Sequence, residues 1–304
     1  MNIKSIRSAG YLSFLLLSST LATAQPSQSE KEIVAKRAEL QQVATDYSFT
    51  EGPAVDQKGN VFFTDQPNNR ILKWSTDGTV SVYMEDAGRA NGLYFDNQGN
   101  LVACADAKNQ IWQISPDQDV TVLVDGFEGK KLNGPNDLWI NAAGGIYLTD
   151  PFYPRDYWTH TEKEQAGQWV YYLAPGAKTL TPVATDLVQP NGIVGTPNGK
   201  QLYVADIGDQ KTYVYQINKD GSLSGKKLFA DMGSDGMTLD NQGNVYLTGK
   251  GVTVFNKQGK KIKQIDVDEG WTANVCFGGK KQNKLFITAS TSLYTLDMNV
   301  KGVR

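Results

Sequence analysis

The chain is poor in the side chains that build most nucleophilic and metal sites. It holds one histidine, His160, and two cysteines, Cys104 and Cys276, in 304 residues. Two cysteines exclude a disulfide framework, and each lies in a strand-like run where a buried thiol is expected. No Cys or His has ligand spacing, which argues against a thiolate or imidazole zinc site. A Ser–His pair has a single histidine to draw on, and no G-x-S-x-G elbow occurs. His160 itself falls in a polar, irregular stretch and is expected at the surface. An excess of one charge is missing too, with 30 basic residues against 32 acidic. Without a basic stripe the sequence argues against a nucleic-acid partner.

Long apolar runs are confined to the N-terminus. Lys4 and Arg7 precede the apolar run Tyr11–Leu17, and Ala22-Thr23-Ala24 precedes Gln25. That order reads as a secretory signal peptide over 1–24, with an uncleaved anchor as the alternative. Nothing later approaches the roughly 18 apolar residues needed to span a bilayer. A periplasmic or extracellular protein without stable membrane insertion after cleavage is expected. Residues 25–38 are polar and read as a leader before one domain over 39–304.

What the chain does have is a repeated phrase: a polar residue, a short apolar strand, then a tight turn. Glu51-Gly52-Pro53-Ala54-Val55 before Asp56-Gln57-Lys58-Gly59 is the first copy. The others begin at Asn91, Asn136, Asn191, Asp235 and Asn274, and the last lacks the glycine in fourth place of its turn. The six heads are spaced 40, 45, 55, 44 and 39 residues apart. A period of roughly 40–50 residues marks a propeller or solenoid array. Each turn leads into a second strand such as Val61–Thr64 or Val245–Thr248, and third and fourth strands follow in most copies. Four strands in each of six copies predict an all-β, six-bladed β-propeller. Too little chain follows Leu296 for a last strand, so the segment before Glu51 is expected to close the ring and remove its exposed edges.

In that arrangement all six heads face one axis. Each second strand ends on the same face, where Asp65, Asp106, Asp150 and Asp206 stand. Turn chemistry accounts for Asp65, Asp106 and Asp206. Asp150 differs, because the insertion 151–167 follows it, carrying Tyr153, Arg155, Tyr157, Trp158 and His160. The insertion is read either as a substrate wall, with Asp150, Tyr153 and Arg155 at the site, or as plain surface packing. Two carboxylates and four amides around one axis offer hard oxygen donors for Ca²⁺ or Mg²⁺. A channel plugged by Asn and Asp bonding one another is the other reading.

Phe49-Thr50-Glu51-Gly52-Pro53, Leu132-Asn133-Gly134-Pro135-Asn136-Asp137, Gln189-Pro190-Asn191-Gly192-Ile193 and Ser234-Asp235-Gly236-Met237 resemble the motifs of the gluconolactonase/regucalcin family. Thr64-Asp65 with Asn69-Arg70-Ile71, and Thr149-Asp150-Pro151, fit it too, in the same order along the chain. The resemblance implies a six-bladed propeller acting as a metal-dependent lactonase on a sugar lactone. It implies one divalent cation, Ca²⁺ first with Mg²⁺, Mn²⁺ or Zn²⁺ as substitutes, held by Glu51, Asn136, Asn191 and Asp235. Asp235 would also accept the proton of the attacking water, and Asn91 and Asn274 would face the substrate channel. The competing readings are a ligand-binding propeller with a structural cation, and a related aryl-esterase or phosphotriesterase.

Overall fold

Each blade grows from the same local chemistry. In the first, Asp56 Oδ1 accepts the backbone N–H groups of Lys58 and Asn60, both at 2.8 Å, and so folds the turn after the head strand. Asp96 and Asp240 repeat this in blades two and five, and Asn141 in blade three. The fourth turn position needs a left-handed backbone, which glycine adopts without steric cost. Gly59 has φ +90° and Gly243 φ +82°. In the sixth turn Gln282 takes that conformation instead, at φ +56°.

The computed structural model describes residues 32–303. The described residues form six four-stranded antiparallel sheets. Blade one is Thr50–Val55, Val61–Asp65, Arg70–Trp74 and Val80–Met84. Blades two to five follow within 90–124, 138–184, 190–230 and 237–265. Blade six takes Thr272–Gly278, Lys284–Ala289 and Ser292–Asp297 from the C-terminal part of the chain. Its fourth strand is Gln41–Ala44, antiparallel to Ser292–Asp297 with Gln41 opposite Thr295. The expected closure of the ring from before Glu51 is what the structure shows.

The fold begins earlier than the leader boundary at 38 implied. Ile33, 4% exposed, packs into the apolar cluster of blades five and six, and Val34 bridges Met298. The expected signal peptide over 1–24 lies outside the described residues.

Six apolar clusters fill the spaces between neighbouring blades. That between blades two and three joins Val102, Cys104 and Ile111 to Leu138, Leu148 and Tyr171. The one between blades six and one joins Phe286 and Leu293 to Phe63 and Trp74. Each large side chain removed from water contributes roughly 1.5–3 kcal/mol, and the contribution depends on the ring being closed. The outermost strands face solvent on one side, leaving Val120 and Val122 exposed. Both cysteines are buried and neither forms a disulfide.

Candidate active site

The heads meet where adjacent blades touch at the axis. In four phrases the head is followed by glycine, and the contacts explain why. A Cβ on Gly52 would sit 2.0 Å from the Asn91 carbonyl oxygen of the next blade. One on Gly236 would sit 2.0 Å from the Asn274 side chain. Only a residue without a side chain lets the heads crowd together there.

Glu51, Asn91, Asn136, Asn191 and Asp235 line one cavity of about 240 Å³, together with Phe49, Gln66, Tyr153, Arg155, Ile207 and Trp271. Five of the six heads therefore converge, with Tyr153 and Arg155 of the insertion beside them. Asn274 and Asp150 do not line it. Asn274 is buried below, its Nδ2 donating to Asp137 Oδ2 at 3.4 Å and its Oδ1 accepting Val275 N–H. Asp150 is fully buried, and its two oxygens accept the N–H groups of Asn133 and Gly134, each at 2.9 Å. It fixes the loop that presents Asn136 and leaves no oxygen turned to the cavity, which corrects its expected place at the substrate wall. Asp65 and Asp206 do the same for the loops before Glu51 and Asn191. Asp106 does not, and turns to the insertion.

Two residues at the axis were not anticipated. Asp137 occupies the place held by glycine in four phrases, so its carboxylate enters the axis. Burial pushes its carboxyl up to about 7. The departure from glycine at that position was the available signal. Trp271 precedes the sixth phrase, and its indole N–H donates to Asp235 Oδ2 at 2.6 Å. No sequence spacing marks that pair, since it joins the rims of neighbouring blades.

The electrostatics of the cavity are those of acceptors without enough donors. Burial, then the Asp235 charge, holds the Glu51 carboxyl well above the usual carboxylate range. Burial pushes Asp235 up to about 6, against the Trp271 N–H, the Asn191 amide and the Arg155 charge, which pull it down. The Oδ1 atoms of Asn91 and Asn191 are buried with no hydrogen-bond partner. Buried acceptors left unpaired cost free energy, and a hard cation satisfies such a set. Among the described residues no three His, Cys, Asp or Glu side chains gather as a metal-binding group by themselves. The donor set is mixed, carboxylates with amide oxygens.

His160 is half-buried, with its ring stacked on Trp158 at 4.8 Å between centroids, and it does not reach the cavity. A larger cavity of about 570 Å³ opens at the turn ends of the head strands, lined by Phe62, Tyr94, Phe95, Trp139 and Phe277. It contains none of the heads, and Asp56, Lys58, Lys73 and Asp96 line it beside the aromatic rings.

Fold and site together define a six-bladed propeller with one polar axial pocket, an architecture of small-molecule enzymes and binding proteins. The sequence profile of the SMP-30/gluconolactonase/LRE-like region matches residues 49–291, and the chain belongs to that family. A gluconolactonase from Zymomonas mobilis is 28% identical over 281 residues, covering 83% of this chain and 79% of its own length. A crystal structure described as a putative gluconolactonase superposes with a TM-score of 0.83 at 32% identity, covering 90% of this chain and 96% of that one. A gluconolactonase from Xanthomonas campestris does so with a TM-score of 0.80 at 30% identity, covering 86% and 89%.

Proposed function

We propose that this chain is a lactonase that opens a sugar lactone, gluconolactone-like in size and hydroxylation, in the cavity of Glu51 and Asp235. The observation that carries the reading is the convergence of two carboxylates and three amide heads in one pocket, with two of the amide oxygens unpaired. The family and its relatives named gluconolactonase support it. Glu51, Asn136, Asn191 and Asp235 would hold a divalent cation, Ca²⁺ first, with Mg²⁺, Mn²⁺ or Zn²⁺ able to take its place. When bound, that ion supplies Lewis-acid polarisation of the lactone carbonyl.

The chain's own residues do the rest. Asp235 accepts a proton from the attacking water; its Oδ2 is held by Trp271, and its other oxygen serves as the base. Water adds at the carbonyl carbon, the bond to the ring oxygen breaks, and the proton returns to that oxygen to give the open hydroxy acid. Asn191 Nδ2 donates to Tyr153 Oη at 3.1 Å, which fixes the phenol at the pocket rim. Tyr153 and Arg155 form the wall against the sugar hydroxyls. A serine–histidine route has no support, since the one histidine stands on Trp158 away from the cavity.

The test is hydrolysis of gluconolactone by the purified protein with Ca²⁺ and with chelator. Turnover is expected to need the ion and to be lost in Asp235→Ala. Turnover that survives both would overturn the reading, and a panel with aryl esters and phosphotriesters separates it from neighbouring activities. Export to the periplasm or beyond rests on the N-terminal pattern, and a mature N-terminus at Gln25 by mass spectrometry is its check.

A further inference from the structure

Blade two breaks a pattern that three other blades keep. In blades one, three and four the aspartate ending the second strand accepts backbone N–H groups two and three residues before the head. Asp65 takes those of Ser48 and Phe49, Asp150 those of Asn133 and Gly134, and Asp206 those of Val188 and Gln189. In blade two the corresponding donors belong to Gly88 and Arg89. The Arg89 N–H goes to Asn69 Oδ1 at 2.6 Å instead. Ala105 stands in the aspartate's place there, opposite Ala90 as Asp65 is opposite Thr50, and Asp106, one residue further on and only 2% exposed, faces the insertion from blade three.

Everything it meets there belongs to the pocket wall. Tyr157 donates its hydroxyl to Asp106 Oδ2, and Arg155 Nε lies 3.2 Å from the same oxygen. The Trp158 indole N–H donates to the Asp106 carbonyl at 2.9 Å. Arg89 covers the other side of Tyr157, its guanidinium carbon 4.4 Å from the ring centroid. Gly134 leaves room beneath, because a Cβ there would lie 2.8 Å from the Trp158 ring. The far end of the insertion is tied separately, through Gln165 Nε2 to the carbonyl of Lys131 at 2.8 Å. The clamp therefore acts on the middle of the insertion, where Tyr153 and Arg155 reach the cavity. Arg155 meets Asp106 as an ion pair through Nε, with no aligned hydrogen bond at that atom, and it lines the cavity. Its guanidinium N–H groups are the donors that a hydroxyl or a nascent carboxylate would meet.

We propose that Asp106 is a positioning residue: it clamps the 153–158 wall and aims Arg155, and so sets affinity and selectivity for polyhydroxylated lactones without touching the reacting atoms. This rests on the lactonase reading above. Asp106 belongs to blade two and the wall to blade three, so the pocket is completed by a contact between blades.

The experiment is Asp106→Asn in the full chain with saturating Ca²⁺, read in two ways. Steady-state hydrolysis of gluconolactone is expected to show KM raised at least about tenfold, as for loss of a charged hydrogen-bonding partner, with kcat within twofold. A small aryl ester that does not reach the wall is expected to keep its KM. Limited trypsin digestion is expected to cut within 151–167 faster than in the wild type. A gluconolactone KM within twofold of wild type overturns the proposal whatever the protease shows, and so does a fall in kcat at unchanged KM. Should Asp106→Asn fail to fold, Tyr157→Phe removes one arm of the clamp and is judged by the same criteria. If the wild type opens no lactone, the lactonase reading fails by itself. Digestion then still decides the clamp, because equal cutting of wild type and variant overturns it.

Discussion

Replacing Trp271 by phenylalanine tests the base directly. The substitution keeps a ring at the rim and deletes one interaction, the 2.6 Å bond from the indole N–H to Asp235 Oδ2. A hydrogen bond to a charged group contributes about 1.5–3 kcal/mol. Trp271 is 38% exposed, so water partly replaces the lost donor and the lower end applies. About 1.5 kcal/mol corresponds to a roughly tenfold fall in kcat. The loss falls on kcat because the bond orients the base that takes the proton. Stability is expected to change little, since substitutions of exposed side chains usually stay within about 0.5 kcal/mol. The assay is acid release from gluconolactone in a pH-stat, alongside a thermal melt. Full retention of kcat would refute the idea that Trp271 holds the base. A collapse of the melting temperature would move Trp271 from positioning to structure.

Two further perturbations follow from the charges. Glu51→Gln removes one of two carboxylates that repel across the pocket. With chelator the variant is expected to melt higher than wild type, and added Ca²⁺ to stabilise it far less than the ~2.7 kcal/mol that a ligand at one hundred times its Kd gives the wild type; equal calcium shifts in both proteins would refute the ligand role. Burial pushes the Asp150 carboxyl up to about 7, against about 3.9 in an unfolded chain. The folded state therefore holds the extra proton between these values. Its contribution to stability is present below about pH 4 and is lost as the pH rises towards 7, at up to about 1.4 kcal/mol per unit. Denaturant melts in saturating Ca²⁺ are expected to show the wild-type advantage over Asp150→Asn shrinking across that window, and a constant gap would refute the raised value.

The propeller and the identity of its axial heads were legible in the sequence. Both rest on local periodicity: each phrase carries its own turn chemistry, as Asp56 does for Lys58 and Asn60, and each head keeps a fixed distance from its turn. Four-stranded blades and closure by the segment before Glu51 followed from counting strands against chain length, and the structure places that closing strand at Gln41–Ala44. Tertiary structure decided the roles of the residues around those heads. Four aspartates looked alike in sequence at the ends of second strands. Only the packing shows Asp150 holding the loop before Asn136 and Asp106 holding the wall of the next blade. Trp271 meets Asp235, and Asp137 meets Asn274, across separations of 36 and 137 residues. The physical reason is ring closure. A repeat fixes what each blade presents to the axis, but which side chains touch across blades depends on bringing distant strands together in three dimensions.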